Sequence, residues 1–190
     1  MIVRDRGFSL VETVVVVAIA LLVAAMTLPL FRAMFADAHL LGAGQAFRNQ
    51  FRLAASIAVR RNVYTAIRFE RRGVDVWYRT YQDGDRDGVR SDDIRSGRDP
   101  EVAGPLPLAT GPTIRVGFLK DVPAIPPERG TLSGDPIRFG PSDTISFSPL
   151  GTATPGTFYL AGDGGQAAVR VTGGSARVRL MIWRGSWRER

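Results

Sequence analysis

Three hydrophobic patterns follow one another along this chain. From Thr13 to Phe31 no position is charged, and Val, Ala and Leu dominate. About 20 apolar residues at a rise of 1.5 Å span a bilayer core, so this run is long enough to cross. From Leu40 the pattern becomes one-sided. Leu40, Gly44, Phe47, Phe51, Ala55 and Ala58 recur at three- and four-residue spacings, and Arg48, Arg52, Arg60 and Arg61 lie mostly off that stripe. The two patterns predict one long helix from about Phe8 to Arg61, lipid-facing in its first half and packed on a sheet in its second. Gly42 and Gly44 are expected to weaken and bend its middle.

After Asn62 the period changes to two. VYTAIRF, VDVWYRTY, TIRVGFL, PIRFG, TISFS, TFYLAG, QAAVRVT and ARVRLMIW alternate or carry β-branched and aromatic residues, with Gly, Pro, Asp and Ser between them. Asp163-Gly164-Gly165 and Gly173-Gly174 supply turn chemistry, which makes the last three segments an antiparallel meander. The stretches from Arg90 to Pro112 and from Val122 to Pro136 are rich in Pro, Gly and charge, and read as mobile loops. The expected fold class is α+β, a long N-terminal helix packed on an antiparallel β-sheet head.

Composition sharpens this picture. The 190 residues include no cysteine and carry a formal net charge of +7. Neither a disulfide nor a thiolate metal site can exist, so the β-rich part must hold together by packing alone. Residues 62 to 190 are numerous enough for an ordinary core. Glu12 is out of place, standing at the mouth of the apolar run. An ionised side chain at the edge of hydrocarbon is costly and usually persists because it has a partner. Arg4, Asp5 and Arg6 precede the run. Basic flanks stay cytoplasmic, which puts the N-terminus inside and the remaining chain outside. Arg32 closes the run, where its long side chain can snorkel into the headgroups. A cleavable secretory signal is the competing reading, with Ala33-Met34-Phe35-Ala36-Asp37-Ala38 as its site. The run is longer than the roughly 7–15 apolar residues of such signals, and Glu12 sits where they are uncharged.

The junction Gly7-Phe8-Ser9-Leu10-Val11-Glu12 resembles the processing site of type IV prepilins and type II secretion pseudopilins. The resemblance implies that a prepilin peptidase cuts between Gly7 and Phe8 and N-methylates Phe8. It also implies that Glu12 becomes the fifth mature residue, the signature carboxylate, and that Pro29 is the proline that loosens the helix in many members. Elementary chemistry agrees. Glycine lets a protease approach the backbone closely. A carboxylate four residues from a free amine can neutralise the amine of a neighbouring subunit in the membrane, where a paired charge costs far less than a lone one. Glu12 is then an assembly device.

The later stretch FSPLGTATPGTFYLAGDGGQAAVRVTGGSARVRLMIW resembles the C-terminal half of the minor-pseudopilin group that includes GspH and FimT. The two resemblances imply a pilin-like division: leader 1–7, transmembrane helix 8–36, amphipathic continuation 37–61 and extracytoplasmic head 62–190. They imply a structural subunit of a type II secretion pseudopilus rather than an enzyme. It would be held in the bacterial inner membrane by a single pass, with a cytoplasmic N-terminus and a periplasmic head. Its partners would be other pseudopilins or pilins in a fibre, the prepilin peptidase and the inner-membrane assembly platform. The alternative is a FimT-like minor pilin of a type IV pilus that aids DNA uptake. A periplasmic enzyme with an uncleaved anchor is a third reading, but no nucleophile elbow, Gly-rich phosphate loop or paired-carboxylate spacing supports it.

Three smaller constellations complete the reading. Asp83, Asp85 and Asp87 alternate in DGDRDG, with Gly88 where a Ca²⁺ loop would turn. The twelfth position of such a loop, which would need a bidentate carboxylate, is Ile94. The segment is either a calcium loop or a solvated acidic turn. The tail RVRLMIWRGSWRER combines Arg177, Arg179, Arg184, Arg188 and Arg190 with Trp183 and Trp187, a mixture that suits a nucleic-acid strand. Ala176 stands where DNA-uptake relatives have a glycine, and the rival reading is an edge strand with outward arginines followed by an untethered tail. His39, the single histidine, offers no metal site.

Overall fold

The computed structural model describes residues 9–73, 75–108 and 113–190. A single helix, α1 (Leu10–Arg61), runs for 52 residues, about 78 Å at 1.5 Å per residue. Neither Pro29 nor the pair Gly42 and Gly44 ends it. It closes at Asn62, a left-handed residue (φ 54°) whose N–H reaches the carbonyls of Ala58 and Val59, an αL cap that satisfies the last turn.

Two antiparallel sheets follow. The first is ordered β3-β2-β1-β6, from β1 (Thr65–Arg72), β2 (Asp75–Gln82), β3 (Glu101–Pro107) and β6 (Thr144–Phe147). The second is ordered β10-β9-β8-β7-β4, from β4 (Ile114–Val116), β7 (Gly156–Gly162), β8 (Gly165–Thr172), β9 (Arg177–Trp183) and β10 (Trp187–Glu189). The two-residue strand β5 (Ile137–Arg138) also pairs with β7. The expected meander is present as β7, β8 and β9 in unbroken register, for example Leu160 opposite Ala167 and Val171 opposite Val178.

The second half of α1 lies across both sheets. Its stripe of Leu40, Phe47, Phe51, Ala54 and Ala58 is buried, with Phe51 and Ala58 wholly inaccessible. Phe51 sits edge-on to Phe69 at 6.2 Å and Phe139 at 5.7 Å, and Phe47 meets Tyr78 of β2 at 5.9 Å and Phe158 of β7 at 4.9 Å. One helix face thus joins the two sheets through rings, whose pairing adds to their large area burial. Gly44 lies where α1 crosses β9, and a Cβ there would stand 2.6 Å from a methyl of Leu180, so that side chain would have to shift. The first half of α1 is the opposite case: from Leu10 to Met26 every residue is exposed.

Two expectations about loops are corrected. The stretch from Arg90 to Pro112 contains a one-and-a-half-turn helix, α2 (Ser91–Ser96), and the edge strand β3. Its Pro and Gly content had hidden the strand, which tolerates Pro105 and Pro107 because it lies at a sheet edge. The stretch from Val122 to Pro136 is not a free loop either. Val122, Ala124, Ile125 and Leu132 are buried against Tyr159 and Ala168 on the face of the second sheet that points away from α1. This explains why β7 and β8 are buried on both faces. Gln166, fully buried, fixes the start of this cover: its Oε1 accepts from the Leu119 N–H at 2.8 Å and its Nε2 donates to the Gly117 and Leu160 carbonyls at 3.0 and 2.9 Å. The tail is tethered as well. β10 pairs with β9, the Trp187 indole N–H donates to the Pro123 carbonyl at 2.8 Å, and the Arg48 guanidinium donates to the Arg190 carbonyl at 2.6 Å.

Replacing Phe47 or Phe51 by Ala should lower the stability of the head by roughly 3–5 kcal/mol, the cost of deleting a buried ring. Denaturant titration of the chain from residue 37 onward, with and without the substitution, checks this. An unchanged midpoint for both variants would mean that α1 does not dock on the sheets.

Candidate functional site

The site that the sequence predicts is a segment rather than a pocket. Gly7 and Phe8, the expected cleavage pair, lie outside the described residues. Glu12 is in the first turn of α1 and exposed, where the positive end of the helix dipole favours a carboxylate. Among the described residues it has no ion-pair partner. The segment that contains it, Leu10–Leu28, is long and apolar enough to cross a membrane, with none of that span buried against the rest of the chain. A fully apolar surface with one carboxylate at its end cannot face water at low cost. It needs lipid or the matching helices of other subunits.

The head is fixed to this segment just above the span. The β7–β8 turn presses on the helix at Gly164, where a Cβ would lie 2.6 Å from the Ala36 carbonyl oxygen and 2.8 Å from the Asp37 Cα. A side chain there would have to displace helix backbone. Beside it, the Arg184 guanidinium pairs with the Asp37 carboxylate at 2.8 Å.

The acidic loop lies at the opposite end of the head, where the Asp83 N–H donates to the Tyr64 carbonyl just past the end of α1. The structure brings Asp83, Asp85 and Asp87 together, with carboxylate oxygens within 4.8 Å of one another. Asp83 is buried, and both its oxygens are engaged: Oδ1 accepts from the Asp85 and Arg86 N–H groups at 3.1 and 2.7 Å, and Oδ2 from Gly88 at 3.0 Å. Asp99, which sequence reasoning missed, is buried too and accepts from the Gly84 and Arg90 N–H groups at 3.1 and 2.8 Å. The Asp87 carboxyl is pushed up from the usual carboxylate range, by desolvation first and then by its hydrogen bond with Asp85, while Arg90, 2.6 Å away, opposes the shift. Two buried carboxylates thus fold this loop by gathering its amides. The donor types suit a hard cation, but Asp83 already gives three of its roughly four acceptor sites to backbone amides.

The five arginines of the tail do not form one strip. Arg177 and Arg179 project from the face of β9 turned away from α1 and lean toward Glu189 at 3.6 and 3.8 Å. Arg179 also borders a groove with Arg138 and Arg170, both paired to Glu128. Arg184 and Arg188 line hollows on the helix side of the same sheet, with Ile182. Period-two alternation and the turn at Gly185 divide them.

An exposed apolar spine helix that continues into a stripe buried under an antiparallel head is the layout of a pilin-like subunit. Comparison with known families agrees. The family described as Type II transport protein GspH matches residues 43–176, and the prokaryotic N-terminal methylation motif matches residues 2–28. The chain belongs to the GspH family, type IV pilin-like pseudopilins of type II secretion, whose members are structural subunits. No curated protein and no solved structure matches it.

Asp83→Ala or Asp99→Ala should cost roughly 1–3 kcal/mol, because each leaves partly buried amide donors without an acceptor. Urea denaturation measures this. A loss under a few tenths of a kcal/mol for both would mean that the carboxylates do not organise the loop.

Proposed function

We propose that this chain is a minor pseudopilin that a prepilin peptidase processes between Gly7 and Phe8, with N-methylation of Phe8. It is then assembled into a short secretion fibre through α1. The observation that carries the reading is the order of features along the chain: a methylation motif over residues 2–28, Glu12 in the first turn of α1, and a span with no burial in its own chain. Before assembly the apolar surface rests in the inner membrane, with the head on the periplasmic side. In the fibre it packs on the helices of other pseudopilins, and Glu12 neutralises the amine of a neighbour. That pairing sets the axial register, since the cost of a lone charge in hydrocarbon falls sharply only when the two groups meet. The inner-membrane assembly platform supplies the extraction step.

The DNA-uptake alternative has less support. A strand of nucleic acid needs a continuous basic track with stacking platforms, and here the tail arginines are split between two faces, with Arg177 and Arg179 beside Glu189. Calcium at Asp83, Asp85 and Asp87 would rely mainly on Asp85 and Asp87, since Asp83 already accepts three amides.

Co-expression with a prepilin peptidase should shorten the protein by its seven-residue leader, and Gly7→Ala should block the shortening. Glu12→Ala should leave cleavage intact yet strongly reduce incorporation into fibres. Intact-mass measurement and fibre pelleting separate the two. An uncut chain, or a cut after Ala38, would contradict the processing step. Normal fibre incorporation of the Glu12 variant would contradict the pairing.

A further inference from the structure

The anchor helix sets the depth of every part of the head. About 20 residues from Thr13 fill a hydrocarbon core of about 30 Å and end near Arg32. Asp37 follows five residues, about 7 Å, beyond it, at the outer boundary of a headgroup layer that adds roughly 5–7 Å per leaflet. The β9–β10 turn is pinned to that residue through Arg184, and the β7–β8 turn through Gly164. These turns therefore form the membrane-facing rim of the head.

A basic cleft opens on this rim. Two adjoining hollows of about 170 and 150 Å³ share Ile182, Arg184 and Arg190; Asp37, Leu40 and Leu41 add to one, Ser186 and Arg188 to the other. Arg184 spends its charge on Asp37. Among the described residues Arg188 is bonded only to the Ser186 hydroxyl at 3.3 Å, and neither Arg188 nor Arg190 has a carboxylate partner. Two uncompensated guanidiniums over an apolar floor match a phosphate diester carrying acyl chains, because guanidinium forks bind phosphate oxygens in pairs. On the other face of the same hairpin stand Trp183 and Trp187, with rings 5.7 Å apart, the residue type that settles at membrane interfaces. Exposed Phe31 and Phe35 continue the apolar surface below.

We infer that this cleft binds the phosphate of an anionic phospholipid in the leaflet from which α1 emerges, holding the head upright on the bilayer before the subunit is extracted. The inference rests on reading α1 as a membrane anchor. A nucleic-acid strand fits less well, since Arg177 and Arg179, which would have to extend the track, are on the other side of the sheet.

The test uses the full chain reconstituted in phosphatidylcholine vesicles with and without phosphatidylglycerol. It is then extracted in neutral detergent, and the lipid retained per protein is quantified. Flotation with both vesicle types reports the anchor alone; a chain that floats with neither overturns the anchor reading, and the lipid inference with it. Given flotation, retained phosphatidylglycerol should be enriched several-fold over phosphatidylcholine. The enrichment should fall several-fold in Arg188→Gln/Arg190→Gln, which leaves the Arg184–Asp37 pair in place, and should persist in the charge-matched Arg60→Gln/Arg86→Gln. Added inorganic phosphate at fixed ionic strength should displace little of it, because the acyl chains contribute. Equal retention of the two lipids, or equal enrichment in the Arg188/Arg190 and control variants, would overturn the inference. So would full displacement by phosphate, or arginine-dependent binding of single-stranded DNA without lipid preference.

Discussion

Everything in this protein depends on one helix face being sheathed by two sheets. The second half of α1 contributes Phe47 and Phe51 to a ring cluster drawn from both sheets, and without it the faces that the two sheets turn toward the helix would lose their cover. No disulfide shares that duty, since the chain has no cysteine. The same helix, one half-length earlier, has no protein covering it at all. A continuous backbone therefore couples a segment that requires apolar surroundings from outside to a segment that supplies them from within. Where the spine goes, the head must follow as a rigid unit, which is what an assembly subunit requires.

The junction between the halves is built to transmit that coupling. Gly164 allows the β7–β8 turn to touch helix backbone, Gly44 lets β9 pack closely about two turns further up, and the Arg184–Asp37 pair and the Arg48–Arg190 hydrogen bond fasten the last strands. The exposed ion pair contributes little stability by itself. Its value is positional, because it fixes the orientation of the rim relative to the helix axis. At the far end the two buried carboxylates, Asp83 and Asp99, replace what a hydrophobic core cannot do for a glycine-rich loop.

Much of this was legible in the sequence. The change of period from 3.6 to 2 after Asn62 marked the boundary between helix and sheets, and the stripe at Phe47 and Phe51 marked the docked face. The meander was legible because its turns carry strong glycine signals. What stayed hidden was decided by tertiary context. Pro105 and Pro107 disguised an edge strand, and the segment around Val122 to Leu132 has no period because it covers a sheet without pairing along it. Gln166 looked like any polar strand residue, yet it is the buried clamp of that cover. The tail arginines read as one patch in one dimension, and alternation together with a tight turn separated them onto two faces. The acidic loop was found from its spacing, whereas its second organiser, Asp99, stands too far along the chain for a local motif to reveal.

The central claim is that the helix stripe and both sheets form one cooperative unit. Native-state hydrogen exchange on the full chain in detergent tests it most directly. Amides of α1 from Leu40 to Ala58 should exchange only through the same global opening as those of β7, β8 and β9, with matching free energies across a denaturant series. If the Leu40–Ala58 amides exchange through a separate, lower-energy opening while the strands stay protected, the head closes without its spine and the account is wrong.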